Sequence, residues 1–280
     1  SKTGAGRVVF AGQNTLSGPL TVEAGTLTLA SDASSVTGLV YRLDASQPAT
    51  LTFLADGSNV TAWADAEGSG FTFATTNDLN CPVYNAALFG GRGGLHFGRG
   101  GARGRMLGSG VTNAQTVFAV NMIRDLSNDN GGFWGREGQD SGLRIGNTTW
   151  YWPGNNNDFH YGGAGGLIAI NGIVSNSVVT VGQPHLVTSV NGARQSFRPA
   201  IGDYWGSSQW TGRYYRGDVA EILVFDRSLT ALERQTVEAA LMAKWFSAGG
   251  GSVLPSNAAV TVQAGGTLDL AGGAFTVASL

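Results

Sequence analysis

The chain has 280 residues, a formal net charge of −2 and only 13% charged side chains, with 44 glycines and one cysteine. So small a net charge supplies no field to draw the chain to nucleic acid or an anionic membrane. A lone Cys81 rules out an internal disulfide and argues against a cysteine-based metal site. Abundant Gly, Ser, Thr and Asn with few charges fit a turn-rich extracellular β protein better than a helical enzyme.

In chain order, residues 1–30 alternate apolar and polar side chains in three short runs, Arg7 to Phe10, Leu20 to Val22 and Thr26 to Leu29, separated by Gly/Asn/Ser turns. The pattern predicts strands of a solenoid rung, with Pro19 at an edge or turn because it lacks a backbone donor. Gly4, Gly6, Gly12, Asn14, Thr15, Gly18, Ala24, Gly25, Thr26, Leu27 and Leu29 fill the positions of a repeat that this segment resembles, the autotransporter-associated β-strand repeat. Residues 257–280 follow the same grammar, with Val260 and Val262, Leu268 and Leu270, and Phe275 and Val277 in period two. One or two isolated rungs cannot bury their apolar faces, so the two ends are expected to pair with each other, with the middle of the chain or with other molecules.

The middle differs in texture. Leu39 to Leu43 followed by Asp44-Ala45-Ser46, and then Trp63 and Asp65 in NVTAWAD, resemble the opening of laminin-G-like, concanavalin A-like jelly-roll domains. Further strands are predicted at Gly94 to Phe97, Gln115 to Ile123, Gly132 to Gly135, Leu143 to Ile145, Leu167 to Ile170, Val178 to Val181 and His185 to Val190. Val219 to Phe225 is an apolar run suited to a strand covered on both faces. Thr230 with Glu233 forms a capping box ahead of a helix whose Val237, Leu241 and Trp245 share one face and which is expected to pack back onto the sheet. This closing strand and helix resemble the end of the same jelly-roll family.

Fold and organisation are therefore expected as an all-β concanavalin A-like jelly-roll sandwich with one short C-terminal helix, flanked by β-solenoid-like strand repeats. The divisions are 1–32 and 248–280 for the repeats and 33–247 for the laminin-G-like domain.

Two aromatic clusters stand among Asn, Gly, Ser and Asp. Trp150, Trp152, Asn156, Asp158 and His160 form one; Tyr204, Trp205, Trp210, Arg213 and Tyr215 form the other. Flat rings beside amides, carboxylates and Arg are what sugar recognition needs, and these ten are the candidate ligand-binding residues. The competing reading is that the rings plug the sandwich ends or pack beneath long loops. The Gly/Arg stretch 90–105 is read as strand plus loop rather than as a nucleic-acid tract.

No catalytic set is assigned. Asp218 and Glu221, three apart in a strand, are expected on opposite faces, which denies them the pairing that glycoside hydrolysis needs; Glu221 is read as a structural charge answering a buried Arg or backbone donors. No metal ligand is named, and calcium on the loop carboxylates Asp125, Asp129, Asp140, Asp158 and Asp203 is the one cofactor left open. The expectation is a non-enzymatic bacterial surface or secreted module for adhesion or carbohydrate binding, its partners glycans or matrix glycoproteins, with no nucleic acid and no membrane insertion. The alternative is a structural subunit that assembles through its terminal strands into a filament, sheath or stalk; a glycoside hydrolase or lyase ranks below both.

Overall fold

A computed structural model describes residues 1–11, 19–30, 33–75, 81–98, 104–125, 131–138, 142–145, 166–174, 180–202, 214–246 and 259–269. The chain divides into two units, one formed by Ser1–Thr37 with Thr230–Leu280 and one by Gly38–Leu229.

In the first unit, parallel strands stack as rungs. Arg7–Ala11, Gly25–Ala30 and Gly266–Asp269 form one parallel sheet, and Leu20–Val22 pairs in parallel with Val260–Val262. The two ends of the sequence thus pair with each other. LTVEAGTL and VTVQAGGTL lie one above the other, Thr26 beside Thr267 and Leu27 beside Leu268. Val22, Leu27 and Val260 are fully buried, the interior that one rung could not build alone. The glycine of the repeat has a steric reason. Gly25 has φ +77, and a Cβ there would stand 2.3 Å from the carbonyl oxygens of both Gly4 and Gly6. Lys2 secures the same turn, its Nζ donating to Gly4 O and to Ala24 O, the latter at 3.0 Å.

The helix Ala231–Phe246 belongs to this unit and meets Arg7–Ala11 and the 3₁₀ turn Ala33–Ser35. Its first turn is closed reciprocally: Glu233 N donates to Thr230 Oγ1 at 3.3 Å while Thr230 N donates to Glu233 Oε2 at 2.9 Å. Val237, Ala240, Leu241 and Trp245 are buried, whereas Leu232 is exposed.

The second unit is all-β. Among the described residues, one sheet runs in the order Gly142–Ile145, Gly131–Arg136, Pro199–Ile201, Met106–Gly108, Thr72–Thr75, Val60–Ala64, Leu51–Phe53. The other runs Ile173–Val174, Leu167–Ile170, Pro184–Phe197, Thr112–Ile123, Gly217–Phe225, Gly94–Phe97, Val83–Asn85, with Leu39–Asp44 also on Gly217–Phe225. Gly217–Phe225 is buried at every position and holds antiparallel partners along both edges, as its continuous apolar run predicts. Side chains of both sheets, among them Trp63, Phe73, Met106 and Trp134 against Val117, Ala119, Ile222 and Val224, form one core. A hydrogen bond ties the layers together inside it, Trp134 Nε1 donating to Tyr41 Oη at 2.9 Å. Burial raises the Tyr41 phenol well above its ordinary value, only partly offset by Trp134, so it stays protonated.

Candidate functional site

The register of Gly217–Phe225 overturns the parity expected from its sequence. Val120 pairs with Glu221 and Asn121 with Val219, leaving Ala220 as an extra residue, a β-bulge. Asp218 therefore stands opposite Met122 and Glu221 opposite Val120; Val120 and Met122 are two positions apart on a regular strand and share a face. Asp218 and Glu221 consequently point the same way, off the face turned from the seven-stranded sheet. Strand counting assumed one residue per partner, and the bulge breaks that assumption.

Two charge clusters grow from this face. His96 is the register partner of Asp218 on the neighbouring strand, and its Nδ1 lies 2.7 Å from Asp218 Oδ1. Arg124 Nε donates to Asp218 Oδ2 at 2.6 Å. The carboxylate is 1% exposed, while the imidazole is 34% and the guanidinium 42% exposed, so a buried anion orients two partly accessible groups. Around Glu221, Arg42 reaches three acids, its Nε 2.6 Å from Glu221, its NH1 3.0 Å from Glu67 and its NH2 3.5 Å from Asp44. Asp65 Oδ1 accepts the Arg42 backbone N–H at 2.7 Å. Glu221 does answer a buried Arg, as its apolar neighbours suggest. Sequence reading passed over Arg42 and His96 as site residues because nothing local marks a partner more than a hundred positions away.

Of the ten candidate ligand residues, Trp150, Trp152, Asn156, Asp158, His160, Tyr204, Trp205, Trp210 and Arg213 lie outside the described residues. Tyr215 is in the inter-sheet core, 1% exposed, tilted against Phe97 and Phe133, with its hydroxyl donating to Asn121 Oδ1 at 3.3 Å. Core packing, the second reading of these clusters, is what Tyr215 does. Asp125 is held by Arg216 NH1 at 2.6 Å, and Asp129, Asp140, Asp158 and Asp203 lie outside the described residues. Among the described residues no three His, Cys, Asp or Glu side chains converge as a metal site.

His185 is the buried titratable ring of the long strand Pro184–Phe197, 6% exposed, its Nε2 accepting from Thr180 N at 3.4 Å. Burial lowers its pKa, and the Gln183 backbone offsets part of that. The unfolded imidazole titrates near 6.5, so below about that pH the unfolded chain binds the extra proton. Stability is expected to be full above about pH 6.5 and to fall as pH drops through the lower folded-state value. Thermal melts between neutral and mildly acidic pH should show this slope, and His185→Gln should flatten it.

Residues 1–38 match a family model described as Passenger-associated-transport-repeat. No curated protein matches the chain in sequence. Among solved structures it is similar to Trypanosoma rangeli sialidase in complex with the inhibitor DANA, at 14% identity and a TM-score of 0.45, covering 73% of this chain and 33% of the sialidase. A second structure of that sialidase gives 16% identity and a TM-score of 0.43, covering 77% of this chain and 34% of the other. A mutant GH54 α-L-arabinofuranosidase soaked with 4-nitrophenyl α-L-arabinofuranoside gives 15% and 0.35, covering 76% of this chain and 60% of the other. The chain spans about a third of the length of the sialidases. At such identities the likeness concerns the fold alone.

These findings correct the expectation of a non-enzymatic adhesion or carbohydrate-binding module and the expectation that the chain is no enzyme. The solved structures to which it is similar are glycoside hydrolases by name, and an all-β sandwich by itself decides no activity in either direction. The bulge at Ala220 removes the second ground, the supposed opposite facing of Asp218 and Glu221. The repeat match supports association with bacterial autotransporters, and among the described residues no helix is long and apolar enough to cross a membrane, which says nothing of a β-barrel.

Proposed function

We propose that the chain is a carrier segment of a secreted or surface-displayed bacterial passenger, in which a β-sandwich is inserted in the sequence between two successive rungs of a β-solenoid. The carrying observation is the parallel, in-register seating of Gly266–Asp269 on Gly25–Thr28. The chain leaves the solenoid after Gly25–Ala30 has stacked on Arg7–Ala11, builds Gly38–Leu229, and resumes the repeat on the rung it left. A solenoid tolerates such an insertion because each rung needs only its neighbours above and below. The laminin-G-like motifs Asp44-Ala45-Ser46, near the start of the insert, and Gly217 to Trp245, whose strand closes the insert and whose helix belongs to the first unit, support reading the sandwich as a concanavalin A-like jelly roll.

Two measurements test this. Neighbouring strands place Thr26 and Thr267 about 4.8 Å apart, within reach of a disulfide. Thr26→Cys with Thr267→Cys, in a Cys81→Ser background, should oxidise to a monomer of altered mobility on non-reducing gels; crosslinked dimers would count against pairing within one chain. Placed between an export signal and an outer-membrane translocator, the segment should carry the sandwich to protease-accessible positions on intact cells. Retention inside cells that display a control passenger would overturn the reading.

A further inference from the structure

The second unit holds a cavity of about 430 Å³, within the range of small-ligand sites, lined wholly by residues of Gly38–Leu229. Its polar groups come from separate strands. Asn113 and Ser196 are register partners on adjacent antiparallel strands, so their side chains emerge together on one face. Asp226 follows the end of Gly217–Phe225 and is fixed by its own backbone, its N–H donating to Gly38 O at 3.0 Å. Among the described residues, the Asn113 amide, the Ser196 hydroxyl and the Asp226 carboxylate have no side-chain partner. Val111, 69% exposed, and Val40 give the cavity an aliphatic wall beside them.

We propose that this cavity binds a neutral polyhydroxylated ligand, a saccharide ring. A carboxylate accepts from one or two hydroxyls, an amide both donates and accepts, and a serine hydroxyl does either, the mixed set that adjacent ring hydroxyls require. The C–H face of the ring lies against Val111. An ammonium ligand would want acceptors alone, whereas the Asn113 amide and the Ser196 hydroxyl also donate. The Arg227 Nε stands as near as Asp226 Oδ1 to the point where a Cβ on Gly38 would be, each at 3.0 Å. Gly38, at φ +88, leaves that corner open where any side chain would crowd both groups.

The site is independent of the carrier reading, and failure of one leaves the other standing. The test is titration of the full chain with a panel of methyl pyranosides, gluco, galacto and manno in both anomers, followed by saturation-transfer NMR and calorimetry, with methylammonium as the rival probe. Saturable millimolar binding of at least one pyranoside is expected. Asp226→Ala should weaken it about tenfold or more, since it removes a charged acceptor, and Asn113→Ala should weaken it by a smaller factor. Both positions are partly or fully exposed, so melting temperatures of the variants should match the parent and separate lost binding from lost fold. Three results would overturn the proposal: no saturable pyranoside binding, affinity unchanged in both variants, or methylammonium binding in preference to every sugar.

Discussion

Arg42→Met is expected to destabilise the chain by roughly 3–5 kcal/mol, the cost of removing one partner from a buried charge network. Arg42 is 8% exposed and forms ion pairs with Glu221, 0% exposed, and with Asp44, 1% exposed. These two acids are direct cross-strand partners, so without the guanidinium like charges face each other in a space with little water. Asp44 also accepts from Ser46 N, Ser46 Oγ and Gln47 Nε2. The measurement is urea unfolding followed by tryptophan fluorescence, where the midpoint should fall with little change in slope. Arg42→Met combined with Glu221→Leu should recover much of the loss, because it replaces the buried carboxylate that loses the Arg42 guanidinium with apolar bulk. A single variant within about 1 kcal/mol of the parent would show that the cluster is far better hydrated than its burial implies.

How much could be read in advance differs by element for physical reasons. The solenoid was legible because its constraints are local and repeated: LTVEAGTL and VTVQAGGTL carry the same alternation, and Gly25 is obligatory where carbonyls crowd the turn. Val219 to Phe225 was legible because a strand buried on both faces needs an unbroken apolar run, and the Thr230/Glu233 box announced the helix. The site was not legible, because it depends on register. Asp218 and His96 meet only through pairing of strands far apart in sequence, and the shared facing of Asp218 and Glu221 depends on Ala220 having no partner across the strand. Asn113, Ser196 and Asp226 are ordinary surface residues until three strand ends bring them to one cavity. Tyr215 shows the converse limit: an aromatic among Gly, Arg and Asp reads as a loop residue, yet it closes the core beside Phe97 and Phe133.

Gly202→Ala is expected to cost about 3–4 kcal/mol, combining the strain of a left-handed residue with an overpacked core. Gly202 has φ +84, and its Cβ would fall 2.0 Å from Gly104 O and 2.4 Å from Phe97 Cδ1. Neither obstacle moves freely, one being backbone and the other a fully buried ring. Gly202 also joins two segments through its backbone: its N–H donates to Phe133 O at 2.9 Å, and its carbonyl accepts from Tyr215 N at 2.7 Å. That second bond joins Gly202 to Tyr215. Gly57→Ala is the control, for Gly57 has φ +71 and nothing within 4 Å of its Cβ, so it should lose only about 1 kcal/mol of backbone strain. Melting curves of the two variants should therefore separate clearly. Equal losses would mean that the core around Phe97 yields to an added methyl.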